Sequence, residues 1–480
     1  MSMDRVIEAL PGREQKAIER LVEWLRIPSV STDPAYRDDT RRAAEWCRDE
    51  LIAAGFEAEL RETGTPDAPG HPMVWATNEG EAGYEGPHVL FYGHYDVQPP
   101  DPLELWESAP FEPVIKPADT ANGRKPEDVP GERVVARGAV DDKGQVATFL
   151  EAVRAWKDEA GGVPIKITCM IEGEEESGSA NLEQYMRAHK DELSKCDVCV
   201  VSDTGMLGRG KPAITYGLRG LAYTEVVLHG PDQDLHSGQW GGRVPNPINE
   251  LSKVLAELWD SDRRVTIPGF YDDVLEPTPA EREAWSKLGF DQHAALAKVG
   301  VGPDGDIGEA GWTGLEREWA RPTCDINGIW GGYTGAGAKT VIPAMASAKI
   351  SFRLVANQDP DTIRDAFFAW LGQRTPPGCR WEMIDHSGGH PGNVPTDSPH
   401  LKAAVTALRD AGGVEPALIK TGGSIPVVGM LKATLDLDTL LIGFGLDDDR
   451  VHSPNEKFEL ECYRLGVRTH ARLIGTFAGS

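Results

Sequence analysis

The chain has 480 residues, room for two or three domains at about 150 residues each, and its 40% apolar content is enough for real cores. A formal net charge of -27 surrounds it with a field that repels nucleic acid and anionic membranes, so neither is an expected partner. No run approaches the ~20 apolar residues of a membrane helix, and residues 1–13 lack an apolar signal core, so a cytoplasmic protein is the expectation.

Residues 14–26 predict an amphipathic helix from Ala17, Ile18, Leu21, Val22 and Leu25, and Ile27-Pro28-Ser29 ends it. Residues 40–54 repeat the pattern, with Gly55 as the stop. Strands are expected over 57–61, 73–77 and 88–92, then a Pro- and acid-rich excursion over 101–133. A helix over 142–156, a strand over 164–171, a helix over 181–189 and a strand over 195–202 continue the alternation. Cys196 and Cys199 form a C-x-x-C pair within that last strand. With seven cysteines and no second pair at zinc-ribbon spacing, they read as buried structural thiols. Near residue 210 the character shifts. Sheet is expected over 214–220 and 222–229, a helix over 248–258, a loop-rich tryptophan stretch over 310–330, a strand over 346–354 and a helix over 360–371. From about residue 399 the first pattern returns and ends in a helix over 458–477. The expected fold is therefore α/β: a domain of 1–210 and 396–480 with a mixed central sheet flanked by helices, interrupted by an inserted α+β unit, 211–395.

Two acid-histidine clusters stand at strand ends, where such a sheet gathers its chemistry. Gly93-His94-Tyr95-Asp96 follows the apolar run 89–92, and Glu174-Glu175-Glu176 follows 165–171. On an extended strand end His94 and Asp96 share a face. Between the clusters lies Asp141-Asp142-Lys143-Gly144, whose carboxylate has the lone pairs to bridge two cations. Asp203 closes another strand, and His452 sits in an acidic turn. Singly, each has a plainer reading: a turn histidine, a helix N-cap aspartate, a solvated acidic face. Together, imidazole and crowded carboxylates suit a pair of divalent metals, and mutual repulsion raises carboxylate pKa values enough to make one a base.

These motifs resemble the metallopeptidases with two co-catalytic zincs that include cytosolic non-specific dipeptidase, carnosinase, glutamate carboxypeptidase and aminoacylase. The dipeptidase-carnosinase branch is matched by Gly93-His94-Tyr95-Asp96-Val97-Gln98-Pro99, Asp141-Asp142-Lys143-Gly144, Glu175-Glu176-Ser177-Gly178, Leu235-His236-Ser237-Gly238, Arg353-Leu354-Val355, Gly422-Gly423-Ser424 and His452-Ser453-Pro454-Asn455-Glu456. The resemblance implies two metal ions per subunit, zinc first with manganese or cobalt as alternatives. Asp141 would bridge them, His94 and Asp203 would hold one, and Glu176 and His452 the other. Asp96 would orient His94 through its second ring nitrogen. Glu175 would be the general base acting on a water shared by the metals. His236 would donate to the oxyanion from a partner subunit in a homodimer, with Thr340 also contributed across that interface. Arg353 would take the substrate carboxylate, with Gly423, Ser424 and His386 as further contacts. The first domain would be catalytic, the inserted unit a lid and dimerisation domain, and the Asp141–Asp142 peptide cis.

The implied activity is dipeptide hydrolysis, with N-acyl-amino-acid amidohydrolase or carboxypeptidase chemistry as alternatives on the same site. Two positions depart from the branch. Lys420-Thr421 replace a usual Arg-Glu, which bears on substrate preference. Glu174 replaces an apolar residue, and the added charge is expected to push Glu175 upward.

Overall fold

The computed structural model describes residues 2–117, 131–423 and 425–479. The chain divides into two compact units. One comprises Met1–Tyr216, Val394–Ile419 and Thr434–Ser480, the other Gly217–Asn393 and Lys420–Ala433.

The first unit is built on a mixed sheet. Seven of its strands run in the spatial order Glu57–Arg61, Met73–Asn78, Ile167–Glu172, Val89–His94, Val198–Val201, Thr439–Leu441 and Ala213–Leu218. The four strands from Ile167–Glu172 to Thr439–Leu441 are mutually parallel, and the flanking pairings are antiparallel. Val89–His94 and Ile167–Glu172 are buried along their whole length, as strands covered on both faces must be, and this is why they read as unbroken apolar runs. The cover includes the helix Lys143–Ala160, which packs against Ser2–Leu25 and Leu460–Phe477. Trp24 and Trp156 are fully buried in these layers, and Phe91 stacks on Phe149 with centroids 3.7 Å apart. Burying each such side chain contributes about 1.5–3 kcal/mol.

The first helix starts at Ser2 rather than residue 14 and runs through Pro11. Val6 and Leu10 extend the buried stripe of Ala17, Leu21 and Trp24, so packing outweighs the hydrogen bond that proline removes. Arg37–Ala53 ends at Gly55, whose positive φ lets the N–H groups of Gly55 and Phe56 turn back onto Ile52 and Leu51. Residues 118–130 of the predicted excursion lie outside the described residues. Its two ends pair with each other, Val114–Pro117 on Glu132–Val135, and the latter pairs with Lys457–Glu459. Cys196 and Cys199 are buried free thiols, and burial pushes Cys196 up to about 12 and Cys199 well above its usual value. Such thiols are inert as redox or metal ligands.

The second unit carries an antiparallel sheet in the order Thr323–Gly331, Met345–Leu354, Gly220–His229, Arg380–Gly389. The helices Pro247–Ala256 and Pro360–Gly372 pack on it. Leu251, Phe352, Phe367 and Trp370 form its core. Two of the four strands fall where no strand was expected. Thr323–Gly331 carries Asp325, Asn327 and Gly328, is bulged between Ile326 and Gly328, and is exposed along much of its length, so the two-residue alternation is absent. Pairing with Met345–Leu354 makes it a strand. This is a mixed-sheet α/β unit plus a separate antiparallel-sheet unit, as the sequence implied.

Candidate metal centre and active site

The parallel strands set the geometry. Tyr92 is in register with Val201, so two residues further along each strand His94 lies level with Asp203. His94 is in register with Glu172, which places the Glu174-Glu175-Glu176 turn just beyond the same edge. Asp141 reaches this edge from the N-terminus of the helix Lys143–Ala160. That helix can start so abruptly because residue 144 is glycine: a Cβ there would stand 1.7 Å from the Ala139 carbonyl oxygen. Lys143 is buried and ties the same turn to the first helix, donating to Ile27 O at 2.7 Å and Trp24 O at 3.2 Å.

His94 Nε2 lies 3.2 Å from Asp141 Oδ1 and 3.8 Å from Asp203 Oδ2. His452 Nε2 lies 2.9 Å from Asp141 Oδ2 and 3.3 Å from Glu176 Oε2. Each oxygen of Asp141 thus faces a different histidine. Two ligand groups result, His94-Asp141-Asp203 and Asp141-Glu176-His452, with the ligand atoms of each within 4.8 Å of one another. The Asp141–Asp142 peptide is cis. Asp142 occupies the N-cap position, yet its side chain makes no capping bond. It accepts instead from the His94 N–H at 3.2 Å.

The donor set fits divalent cations. His94 Nε2 is fully buried, and although Asp141 is close in distance, the angle leaves that nitrogen without a hydrogen-bond partner. A buried ring nitrogen aimed at carboxylates without bonding to them has the chemistry of a metal ligand. His94 Nδ1 meets the main-chain carbonyl of Asp96 at 3.1 Å, with the Asp96 carboxylate 3.3 Å away and not hydrogen-bonded to it. Asp96 therefore orients the ring through its backbone, while its carboxylate accepts the Glu176 N–H at 3.0 Å. One residue steadies a ligand in each group.

The side chains of the cluster act strongly on one another's protonation. Burial pulls His94 down, but Asp141, Asp96 and Asp203 outweigh it and hold the imidazole well above its usual value. Hydrogen bonds to Asp141 and Glu176 raise His452 to about 10. Burial pushes Asp141 up, yet the two histidines draw it well below the usual carboxylate range. Asp203 is raised first by burial and then by Asp141. Glu175 is raised by burial, partly offset by His94, with Glu176, Asp96 and Asp141 adding to the rise. Glu174 does not face this cluster. Its carboxylate accepts from the His71 N–H at 2.9 Å and from Asn181 Nδ2 at 2.9 and 3.0 Å.

Two supporting residues escaped the sequence reading. Gln98, inside the matched run 93–99 but given no role there, donates to Glu176 Oε2 at 2.7 Å. Glu172 is buried at the end of its strand, accepts from Tyr92 Oη and from Ser179 Oγ at 2.9 Å, and is pushed by burial to about 8. A lone acid closing an apolar strand was the available signal.

The remaining candidates lie in the second unit. His236 and Thr340 are exposed neighbours: His236 pairs with Val341, and Thr340 O accepts the Ser237 N–H at 3.2 Å. His236 Nδ1 accepts the Gly238 N–H at 3.0 Å, leaving Nε2 as its other ring nitrogen. Arg353 is half-buried on Met345–Leu354, opposite Leu221 and Thr323. His386 pairs with Glu225 at 2.7 Å and leans on Tyr223. The Gly423 N–H meets Thr421 Oγ1 at 3.3 Å, and Ser424 lies outside the described residues. Lys420 is tied to Glu281 at 3.4 Å and lies over the Trp285 ring.

The family described as peptidase family M20/M25/M40 matches residues 90–476. The chain is 32% identical to "Cys-Gly metallodipeptidase dug1" of Schizosaccharomyces pombe over 487 aligned positions, covering 100% of this chain and 99% of that one. It is 30% identical to the human "Beta-Ala-His dipeptidase", covering 98% and 91%. The crystal structure of the M20 family metallo-carboxypeptidase Sso-CP2 from Sulfolobus solfataricus superposes with a TM-score of 0.77 at 31% identity, covering 97% and 99%.

Proposed function

This chain belongs to peptidase family M20/M25/M40 and is a metallodipeptidase, and we propose that it hydrolyses the amide bond of dipeptides bearing a free C-terminal carboxylate, with Glu175 as general base. The observation that carries this reading is the pair of ligand groups sharing Asp141, with a half-buried Glu175 of raised pKa on the adjoining turn. Two divalent cations, zinc first with manganese or cobalt as alternatives, would be held by His94, Asp141 and Asp203 and by Asp141, Glu176 and His452; when bound, they supply the charge that polarises an amide carbonyl and acidifies water.

The residues themselves do the rest. Glu175 takes a proton from the attacking water and delivers it to the leaving amine. Its raised pKa suits it to both halves of that transfer. Asp96 and Gln98 keep His94 and Glu176 aimed. Arg353 pairs its guanidinium with the substrate carboxylate, helped by Gly423 and Ser424, with His386 at the periphery. His236, through Nε2, donates to the developing oxyanion. It acts in a homodimer, where each copy lends His236 and Thr340 to the other. Their exposure supports that role, as does the apolar edge of the second sheet, where Thr323–Gly331 leaves Ile326, Ile329 and Trp330 exposed. A cytoplasmic location belongs to the same reading, supported by the free cysteines. No helix among the described residues is long and apolar enough to cross a membrane.

The likeness to a metallo-carboxypeptidase favours a second reading, release of C-terminal residues from longer peptides. The test is a substrate panel on chelator-stripped and metal-restored protein: Cys-Gly, β-Ala-His, other dipeptides, tetrapeptides and acetyl-amino acids. Metal-dependent turnover of dipeptides is expected to dominate. Preference for tetrapeptides would move the reading to a carboxypeptidase, and preference for acetyl-amino acids to an amidohydrolase.

A further inference from the structure

Asp141 is the one residue common to both ligand groups, yet it sits on an irregular turn, where a carboxylate is not held by secondary structure. Something must hold that turn. The chain segment Arg137-Gly138-Ala139-Val140-Asp141 wraps around the carboxylate of Glu456, which is fully buried. Glu456 Oε1 accepts the N–H groups of Val140 at 2.9 Å and Asp141 at 3.1 Å. Oε2 accepts the Gly138 N–H at 2.9 Å and Arg137 Nη1 at 2.8 Å. The Glu456 main-chain carbonyl takes the Ala136 N–H at 3.1 Å. Arg137 is held from its other side by Pro99 O at 3.2 Å and by the Trp106 ring.

Glu456 also lies four residues after His452, on the loop that delivers the second histidine. We propose that Glu456 is a positioning residue that sets the bridging carboxylate: through one buried side chain it locks the Asp141 turn to the His452 loop, and so fixes the spacing of the two cation positions. The inference rests on the dinuclear reading above. The physical basis is that four donors converge on one carboxylate, which no neutral side chain can satisfy. In Glu456→Gln, one acceptor oxygen becomes an N–H₂ group facing two donors, either the Gly138 N–H and the Arg137 guanidinium or the N–H groups of Val140 and Asp141. That half of the clamp must open, and it opens beside Asp141.

The experiment measures cation uptake rather than turnover. Metal-stripped wild type, Glu456→Gln and Arg137→Gln are equilibrated in zinc and cobalt buffers, and bound metal per chain is read by mass spectrometry, with the cobalt absorption spectrum as a report of ligand geometry. Glu151→Gln serves as a control for stability, since it weakens a different, part-buried pair, with Arg20. Expected results are two cations on wild type, at least tenfold weaker uptake and an altered cobalt spectrum for Glu456→Gln, at least threefold weaker uptake for Arg137→Gln, and wild-type uptake for Glu151→Gln. If Glu456→Gln cannot be obtained folded, Arg137→Gln decides alone. Wild-type affinity and spectrum in the folded clamp variants would overturn the inference, as would equal weakening in Glu151→Gln, which would reduce the clamp to general stability. Failure of wild type to take two cations would overturn the dinuclear reading itself, a separable outcome.

Discussion

The His94 end of the ligand edge in the first unit and the exposed substrate candidates of the second are built in opposite ways. His94, Asp96 and Asp142 are fully buried, and their positions are over-determined by strand register and main-chain hydrogen bonds. His236, Thr340 and Gly423 are exposed, on short pairings and turns. A cation site needs ligands placed before the ion arrives, because crowded carboxylates are tolerable only in a rigid frame. A substrate contact works by meeting a second surface, so exposure in the isolated chain is what such a residue shows before that meeting. On the proposed reading, the chemistry around His94 is preorganised in one unit and recognition is left to exposed residues of the other.

Five measurements break or sharpen this contrast. The largest effect belongs to Asp141→Asn, which should lose both cations and drop turnover to background. Retention of even one cation at wild-type affinity would show that the carboxylate is not shared. Glu175→Gln comes next, with kcat lower by about 10²–10⁴ and metal content unchanged; a loss of metal instead would make Glu175 a ligand. His236→Ala should cost about 10²–10³ in kcat. Mixing it with Glu175→Gln tests the open half directly. In a mixed dimer one site regains both residues, so an equal mixture should recover about a quarter of the wild-type rate. No recovery means His236 works within its own chain.

The fourth effect is on stability. In the metal-free protein His452 sits at about 10, above its ordinary value of about 6.5. A histidine raised on folding adds stability that is complete below about pH 6.5 and is lost as pH climbs through about 10. The raised carboxyls of Asp203 and Glu175 act in the same direction, since the folded state again holds protons that the unfolded state has released. The Tm of chelator-stripped protein should therefore fall across that alkaline window, and His452→Ala should flatten the slope. Metal-loaded protein should lack it, because bound imidazole is already deprotonated. The smallest effect is Glu174→Gln. Its carboxylate is committed to His71 and Asn181, so the pH–rate profile should not move. A shift in the acid limb would restore the expectation drawn from its place in the sequence.

Much of the first unit was legible because its parallel strands are buried on both faces and announce themselves as apolar runs. Acids and histidines at the ends of such runs stand out against them. The second unit was harder to read. Thr323–Gly331 is an exposed, bulged strand whose partner lies elsewhere in the chain, and no local pattern reports a partner. Glu174 shows the same limit at one residue. Three glutamates in a row look alike, and only the turn decides that Glu174 faces away while Glu175 and Glu176 stay with the cluster.

What the amino-acid order determined alone is the alternation of buried strand and covering helix, and with it the edge where charged side chains must emerge. Burial of apolar runs is a local property that any window of the chain displays. Tertiary structure alone decided that Gln98 holds the Glu176 carboxylate and that Glu456 holds the turn carrying Asp141. Those are contacts between segments up to hundreds of residues apart, and their hydrogen bonds form only once packing has placed donor and acceptor within about 3 Å.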